Sequence, residues 1–190
     1  MHNHFTAPYT IHEVLSMKNL RRYTIIGILF VLFTGSLAHF LYDWTDKNKI
    51  VGLFTPVNES IWEHMKLLFF PMLIYSLIMI FKFHTKYSCI TSSLCFGIMA
   101  GAFFIPLFYY VYTSIMGKNF FILDIGVFIL SIILAFWLSY KLTLSHQLES
   151  YAPLLCVLVC ILFACFLGFT SHPPDAAIFQ EPASSKTSIR

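Results

Sequence analysis

Hydrophobic and polar positions in this chain fall into long blocks and show neither strand alternation nor the stripe of a surface helix. Five apolar runs occupy residues 23–41, 67–83, 88–112, 120–140 and 152–170, each set off by a short polar break. Runs of this length approach the ~20 residues that a helix needs to cross the hydrocarbon layer. Within lipid every backbone polar group must be bonded inside its own segment, so each run reads as a helix. The pattern predicts an all-α fold, an integral membrane bundle of five transmembrane helices spanning residues 23–182. Upstream, Ile11, Val14 and Leu15 share a face, which predicts a short N-terminal interfacial helix within residues 1–22. A secretory signal is the rival reading of the first run, with Ser36-Leu37-Ala38 as its cleavage site. The four runs behind it favour a span.

Smaller features punctuate the runs. Residues 45–54 predict a polar loop, Pro71 and Pro106 sit inside runs, and Pro173-Pro174 ends the last one. Gly97 and Gly101 are spaced to let two helices approach closely. The polar tail, residues 183–190, predicts disorder.

Composition sharpens this picture. The chain is 58% hydrophobic and 11% charged, where a soluble domain carries about 25% charged residues. The small net charge of +3 is dispersed, without the basic, aromatic-interleaved patch that nucleic acid binding needs. The partner implied is membrane lipid. All five cysteines lie in apolar runs, where Cys behaves as a small hydrophobe. Cys156 and Cys160 share a helix face, a weak signal for metal. His2, His4 and His12 fit no metal-ligand spacing. With the N-terminus inside, Lys18, Arg21, Arg22, Lys82, Lys86 and Lys141 lie inside and an equal number of bases outside. The collar before the first run breaks the tie, because the first helix usually sets orientation. The expectation is N-inside and C-outside.

Chemistry concentrates in Thr55-Pro56-Val57-Asn58-Glu59-Ser60-Ile61-Trp62-Glu63-His64-Met65-Lys66. Part of it has a structural reading. Thr55 with Pro56, or Ser60 with Glu63, can start a helix. Trp62 can anchor at the interface and Lys66 can snorkel. Glu59 and His64 are left over. On one continuous helix Glu59, Glu63 and Lys66 share a stripe, with Asn58 and Trp62 beside it. Two acids on one stripe repel unless a cation, a proton or Lys66 lies between them. His39 and Asp43 stand four apart at the end of the first run, so Asp43 can fix the His39 tautomer. Four crossings separate the loop after the first run from the tail after the fifth, so both lie on one side of the membrane. His39, Asp43, Glu59, Glu63, His64, His172 and Asp175 can therefore converge there. Asp124, one turn into the fourth run, faces the same side. Ionisable residues at membrane helix ends are site candidates. Glu59 and Glu63 are candidate general bases. His39, Asp43, His64 and His172 are candidate ligands of a divalent metal such as zinc. Asn58, Ser60, Trp62, Lys66 and Asp124 are candidate binding residues.

The segment Pro56-Val57-Asn58-Glu59-Ser60-Ile61-Trp62-Glu63-His64-Met65-Lys66 resembles a family of small bacterial integral membrane proteins, a domain of unknown function. The segments His39…Tyr42-Asp43-Trp44 and Phe169-Thr170-Ser171-His172-Pro173-Pro174, followed by Phe179 and Pro182, resemble it more loosely. The resemblance runs from about Tyr23 to Pro182. It implies a multi-pass protein of the bacterial inner membrane and supplies no activity. Three functional classes follow. The first is a hydrolase or transferase acting on a lipid or isoprenoid, although no Gly-x-Ser-x-Gly or His-Glu-x-x-His motif is present. The second is a small transporter coupling its acids to protons or cations, alone or as a homo-oligomer. The third is a structural subunit of a membrane complex.

Overall fold

The computed structural model describes residues 11–182, with side chains from Val14 onward. The readings of His2, His4, the His12 side chain and the tail beyond Pro182 fall outside the described part. Six α-helices follow in order: α1 (Ile11–Trp44), α2 (Lys49–Phe54), α3 (Ile61–Phe83), α4 (Ile90–Met116), α5 (Phe121–Ser145) and α6 (Ala152–Ser171). Single 3-10 turns occupy Glu149–Tyr151 and Ala177–Phe179, and no strand occurs among the described residues. Five of the helices are long and apolar enough to cross a membrane. The helical stretch before Tyr23 runs straight into the first span as one helix of 34 residues.

Two boundaries differ from the sequence reading, each for a local reason. Residues 45–54 are not all loop. The Asn48 side chain accepts from the N–H groups of Ile50 and Val51 and starts the short helix α2. The second span begins at Ile61, six residues before the apolar run, because Ser60 caps it. Trp62, Glu63, His64 and Lys66 thus ride on the first turns of a membrane helix.

Helix α3 is the central rod. In its most apolar window 61% of residues are buried, against 22% for α1, α5 and α6. Its core residues Met65, Leu68, Phe69, Met72 and Tyr75 pack inside the bundle. Small residues set the close crossings. A Cβ at Gly35 of α1 would meet the backbone carbonyl of Leu67 in α3. A Cβ at Gly97 would collide with the Ser139 hydroxyl and lie 2.8 Å from the Ala135 carbonyl. One at Gly101 would come within 2.7 Å of the Ala135 Cβ. The Gly97/Gly101 pair therefore serves the α4–α5 crossing, as its spacing suggests.

The two ends of the bundle are distinct. At one end α1 finishes, α3 begins, the α4–α5 turn sits and α6 finishes; this is called the site face. Trp62 packs there against Phe166, Phe169 and Phe179, with ring centroids 4.8, 5.6 and 4.9 Å away. At the opposite end the Tyr87 hydroxyl meets Ser16 at 3.0 Å and Tyr23 packs edge-on against Phe83. Loop and tail do share one face, as five crossings require. Substituting Gly97→Leu should force α4 off α5 and cost about 1–3 kcal/mol. Gly126→Ala, with nothing within 4 Å, should be neutral. Thermal unfolding of both variants in detergent checks the contrast.

Candidate functional site

The loop between α2 and α3 is built by local bonds. The Asn58 carboxamide accepts from the Ser60 N–H at 3.0 Å. The Ser60 hydroxyl accepts from the Glu63 N–H at 3.4 Å. Only half of the capping box forms, because the Glu63 carboxylate turns away from the Ser60 N–H. Asn58 and Ser60 are thereby committed to shaping the backbone. Glu59 lies before the helix, so the single acidic stripe of the sequence reading does not exist. Its members divide into two separate groups.

The first group is a buried knot. Lys66 Nζ donates to Glu63 Oε2 at 2.6 Å, to the Gly52 carbonyl at 3.0 Å and to the Thr170 hydroxyl at 2.5 Å. A longer contact of 3.4 Å reaches the Thr55 carbonyl. Glu63 Oε2 also accepts from the Val57 N–H at 3.0 Å, and Thr170 donates to the Phe166 carbonyl. Lys66 is fully buried and Glu63 3% exposed. Lys66 therefore does not snorkel to the headgroups; it is spent on α2, α3 and α6. Glu63 Oε1 faces the Thr170 hydroxyl at 3.4 Å. Thr170 and Gly52 escaped the sequence reading. Thr170 carried no signal beyond its place at the end of the fifth run. A Cβ at Gly52 would press within 2.7 Å of Val57 and 2.9 Å of Tyr42.

The second group is open to the membrane face. His39, Glu59 and His64 each bring one ligand-type atom within 4.8 Å of the others. The two rings lie 5.2 Å apart, and His64 Nε2 is 3.4 Å from Glu59 Oε2. His64 Nδ1 lies 2.9 Å from the Ser60 carbonyl. A carbonyl only accepts, so Nδ1 carries the proton and donates. The neutral ring then turns the lone pair of Nε2 toward a carboxylate, two acceptors face to face. Such a contact holds only with a positive charge on or between them. His39 adds a buried Nδ1 with no hydrogen-bond partner. Glu59 is half-exposed, and a hydrogen bond from His64, protonated on both nitrogens, keeps its carboxyl below the usual value of 4.5, helped by the charge of both imidazoles and opposed by burial.

The other candidates lie elsewhere. Asp43 is exposed and makes no hydrogen bond to His39, so it does not set that tautomer. His172 is exposed beyond the end of α6 and stays out of the cluster. Asp124 accepts from the Tyr112 hydroxyl, closing the α4–α5 turn, and bears on His64 only through space. Trp62 is buried among aromatic rings and is not an interface anchor; its Nε1 has no partner. Among the cysteines, Cys95 and Cys156 bring their sulfurs to 3.5 Å, while Cys160 is exposed. No described cysteine belongs to a three-ligand cluster.

Lys66→Met leaves the Glu63 carboxylate buried without its cation and should cost about 3–5 kcal/mol. Adding Glu63→Gln should restore much of the loss, as read by thermal unfolding in detergent. The depressed Glu59 carboxyl stabilises the fold above pH 4.5, and that contribution fades as pH falls through its lowered value. Carbon NMR of metal-free protein should place the Glu59 midpoint below 4.5 and show it rising in His64→Ala. A midpoint unchanged by that substitution would contradict the contact.

No curated protein and no solved structure matches this chain. A family of unknown function, DUF6512, matches residues 13–189 and so takes in all five spans and both polar groups. By that match the chain belongs to the family DUF6512.

Proposed function

We propose that this protein is a membrane metalloprotein in which His39, Glu59 and His64 hold a divalent ion of the zinc class. The observation that carries the reading is the His64 ring. Its Nδ1–H is tied to the Ser60 carbonyl while Nε2 confronts Glu59. A zinc-bound histidine typically donates its other N–H to such a carbonyl, which fixes the tautomer and aims the lone pair. Two imidazoles and a carboxylate also form a recognised three-ligand catalytic set, which leaves a fourth position for water or substrate. Ligands on a tetrahedral zinc stand roughly 3.3 Å apart, given metal–ligand distances near 2.0 Å. The His64–Glu59 separation of 3.4 Å already has that spacing. His39 has only to swing inward.

The chemistry favoured is hydrolysis or group transfer on an amphiphile such as a lipid or isoprenoid. A bound ion would polarise an ester or phosphoryl oxygen and lower the pKa of its water. Glu59 then acts as a ligand, and Glu63, held by Lys66 and Val57, belongs to the frame and not to the reaction. Two surroundings suit an amphiphile. Phe40 and Trp44 stack 5.9 Å apart on the exposed side of α1, beside His39. An apolar cleft of ≈570 Å³, lined by Met116, Phe120, Phe121, Ile122 and Leu123, opens at the α4–α5 turn on the same face.

Elemental analysis of protein purified without chelator tests the centre. Near-stoichiometric zinc, manganese or iron is expected. His39→Ala, Glu59→Gln and His64→Ala should each weaken metal affinity by at least ~10–100-fold. His172→Ala should leave it unchanged. Metal content near zero after supplementation, or equal in all four variants, would overturn the reading.

A further inference from the structure

The face opposite the site has a charge balance of its own. By position in the chain, Lys18, Arg21, Arg22, Lys82, Lys86 and Lys141 lie at that end, against only Glu13 and Glu149. The other seven acids belong to the site face, beside four bases among the described residues, Lys47, Lys49, Lys66 and Lys118. Among the described residues the opposite face is therefore the cationic one. A shallow groove of ≈670 Å³ opens at that end between α1 and α3, lined by Tyr23, Leu77, Ile78, Phe81 and Lys82. Leu77, Ile78 and Phe81 are 61%, 49% and 85% exposed, an apolar track in line with the hydrocarbon. At its head the Lys82 ammonium sits 4.8 Å above the Tyr23 ring. It has no ion-pair partner among the described residues. The collar of Lys18, Arg21 and Arg22 lies within five residues of Tyr23 on the same helix.

We infer that this groove binds an anionic phospholipid, with the phosphate at Lys82 and one acyl chain along Leu77, Ile78 and Phe81. Each half of the groove matches one half of that molecule. The apolar track ends where the hydrocarbon must end, and the Lys82 ammonium, without an ion-pair partner among the described residues, lies at the depth of the headgroup. Basic pockets between membrane helices on an anionic leaflet select headgroups in this way. Tyr23 gives the ammonium a fixed seat through its ring face, so the charge is already placed for the phosphate. The inference is independent of the metal centre, which lies at the other end of the bundle.

Native mass spectrometry of the full chain in detergent, with phosphatidylglycerol and phosphatidylcholine of matched acyl chains, tests it. Wild type should retain phosphatidylglycerol preferentially. Lys82→Gln should reduce that preference about fivefold, the effect of one base near an anionic surface. Lys82→Arg should preserve it. Lys141→Gln removes the same charge from an exposed position at the same end and should change little. Equal retention of the two lipids by wild type would overturn the inference, and so would equal losses in Lys82→Gln and Lys141→Gln. A preference that survives Lys82→Gln would also overturn it. Unfolding temperatures of the variants separate a lost groove from a lost fold.

Discussion

One ammonium group holds the site face together. Lys66 is wholly buried, and a lone charge in such surroundings costs several kcal/mol even after relaxation. The protein tolerates it by surrounding Nζ with acceptors from three helices. Glu63 is one turn away on α3, the Gly52 carbonyl comes from α2, and Thr170 from α6. The charge can be satisfied only when all three elements have docked. Glu63 extends the knot to the Val57 N–H, so the loop is fixed just before Asn58 and again at the Ser60 cap. Glu59 lies between these two fixed points. Its position beside His64 is thus a consequence of a bond network that it does not share.

The bundle around the knot follows the same logic of close approach. Gly35 lets the α1 backbone approach the carbonyl of Leu67, next to Lys66 in sequence. That contact brings the end of α1, and His39 with it, alongside the first turns of α3. Gly97 and Gly101 do the equivalent for α4 and α5, where the Ser139 hydroxyl bonds to its own helix at Ala135. Interhelical contact in lipid gains little from the hydrophobic effect, so small residues and satisfied polar groups decide which helices meet. The aromatic cluster of Trp62, Phe166, Phe169 and Phe179 then closes the space between α3, α6 and the tail.

The five spans were readable because each is a block of apolar residues long enough to need lipid, and no tertiary detail can reverse that. The meeting of loop and tail on one face followed from counting crossings. What the sequence could not decide was the helix start. Thr55-Pro56 and Ser60-x-x-Glu63 both look like caps, and the choice between them settles whether Glu59 and Glu63 share a face. The second cap forms, and Glu59 falls outside the helix. His39 and His64 were readable as candidates but not as neighbours, since their approach depends on the Gly35 crossing. Asp43 and His172 carried the right chemistry at the right end, yet both side chains are exposed and neither joins the cluster. Thr170 was silent, because a threonine ending an apolar run looks the same whether or not a buried lysine reaches it.

The Ser60 carbonyl receives both the His64 backbone N–H and the His64 ring N–H, at 3.1 and 2.9 Å. One oxygen therefore starts the helical ladder and orients the imidazole in the same stroke. The bond that aims the ring is made within five consecutive residues. Assembly then brings the second imidazole alongside, and the close α1–α3 contacts at Gly27 and Gly35 set how near it comes.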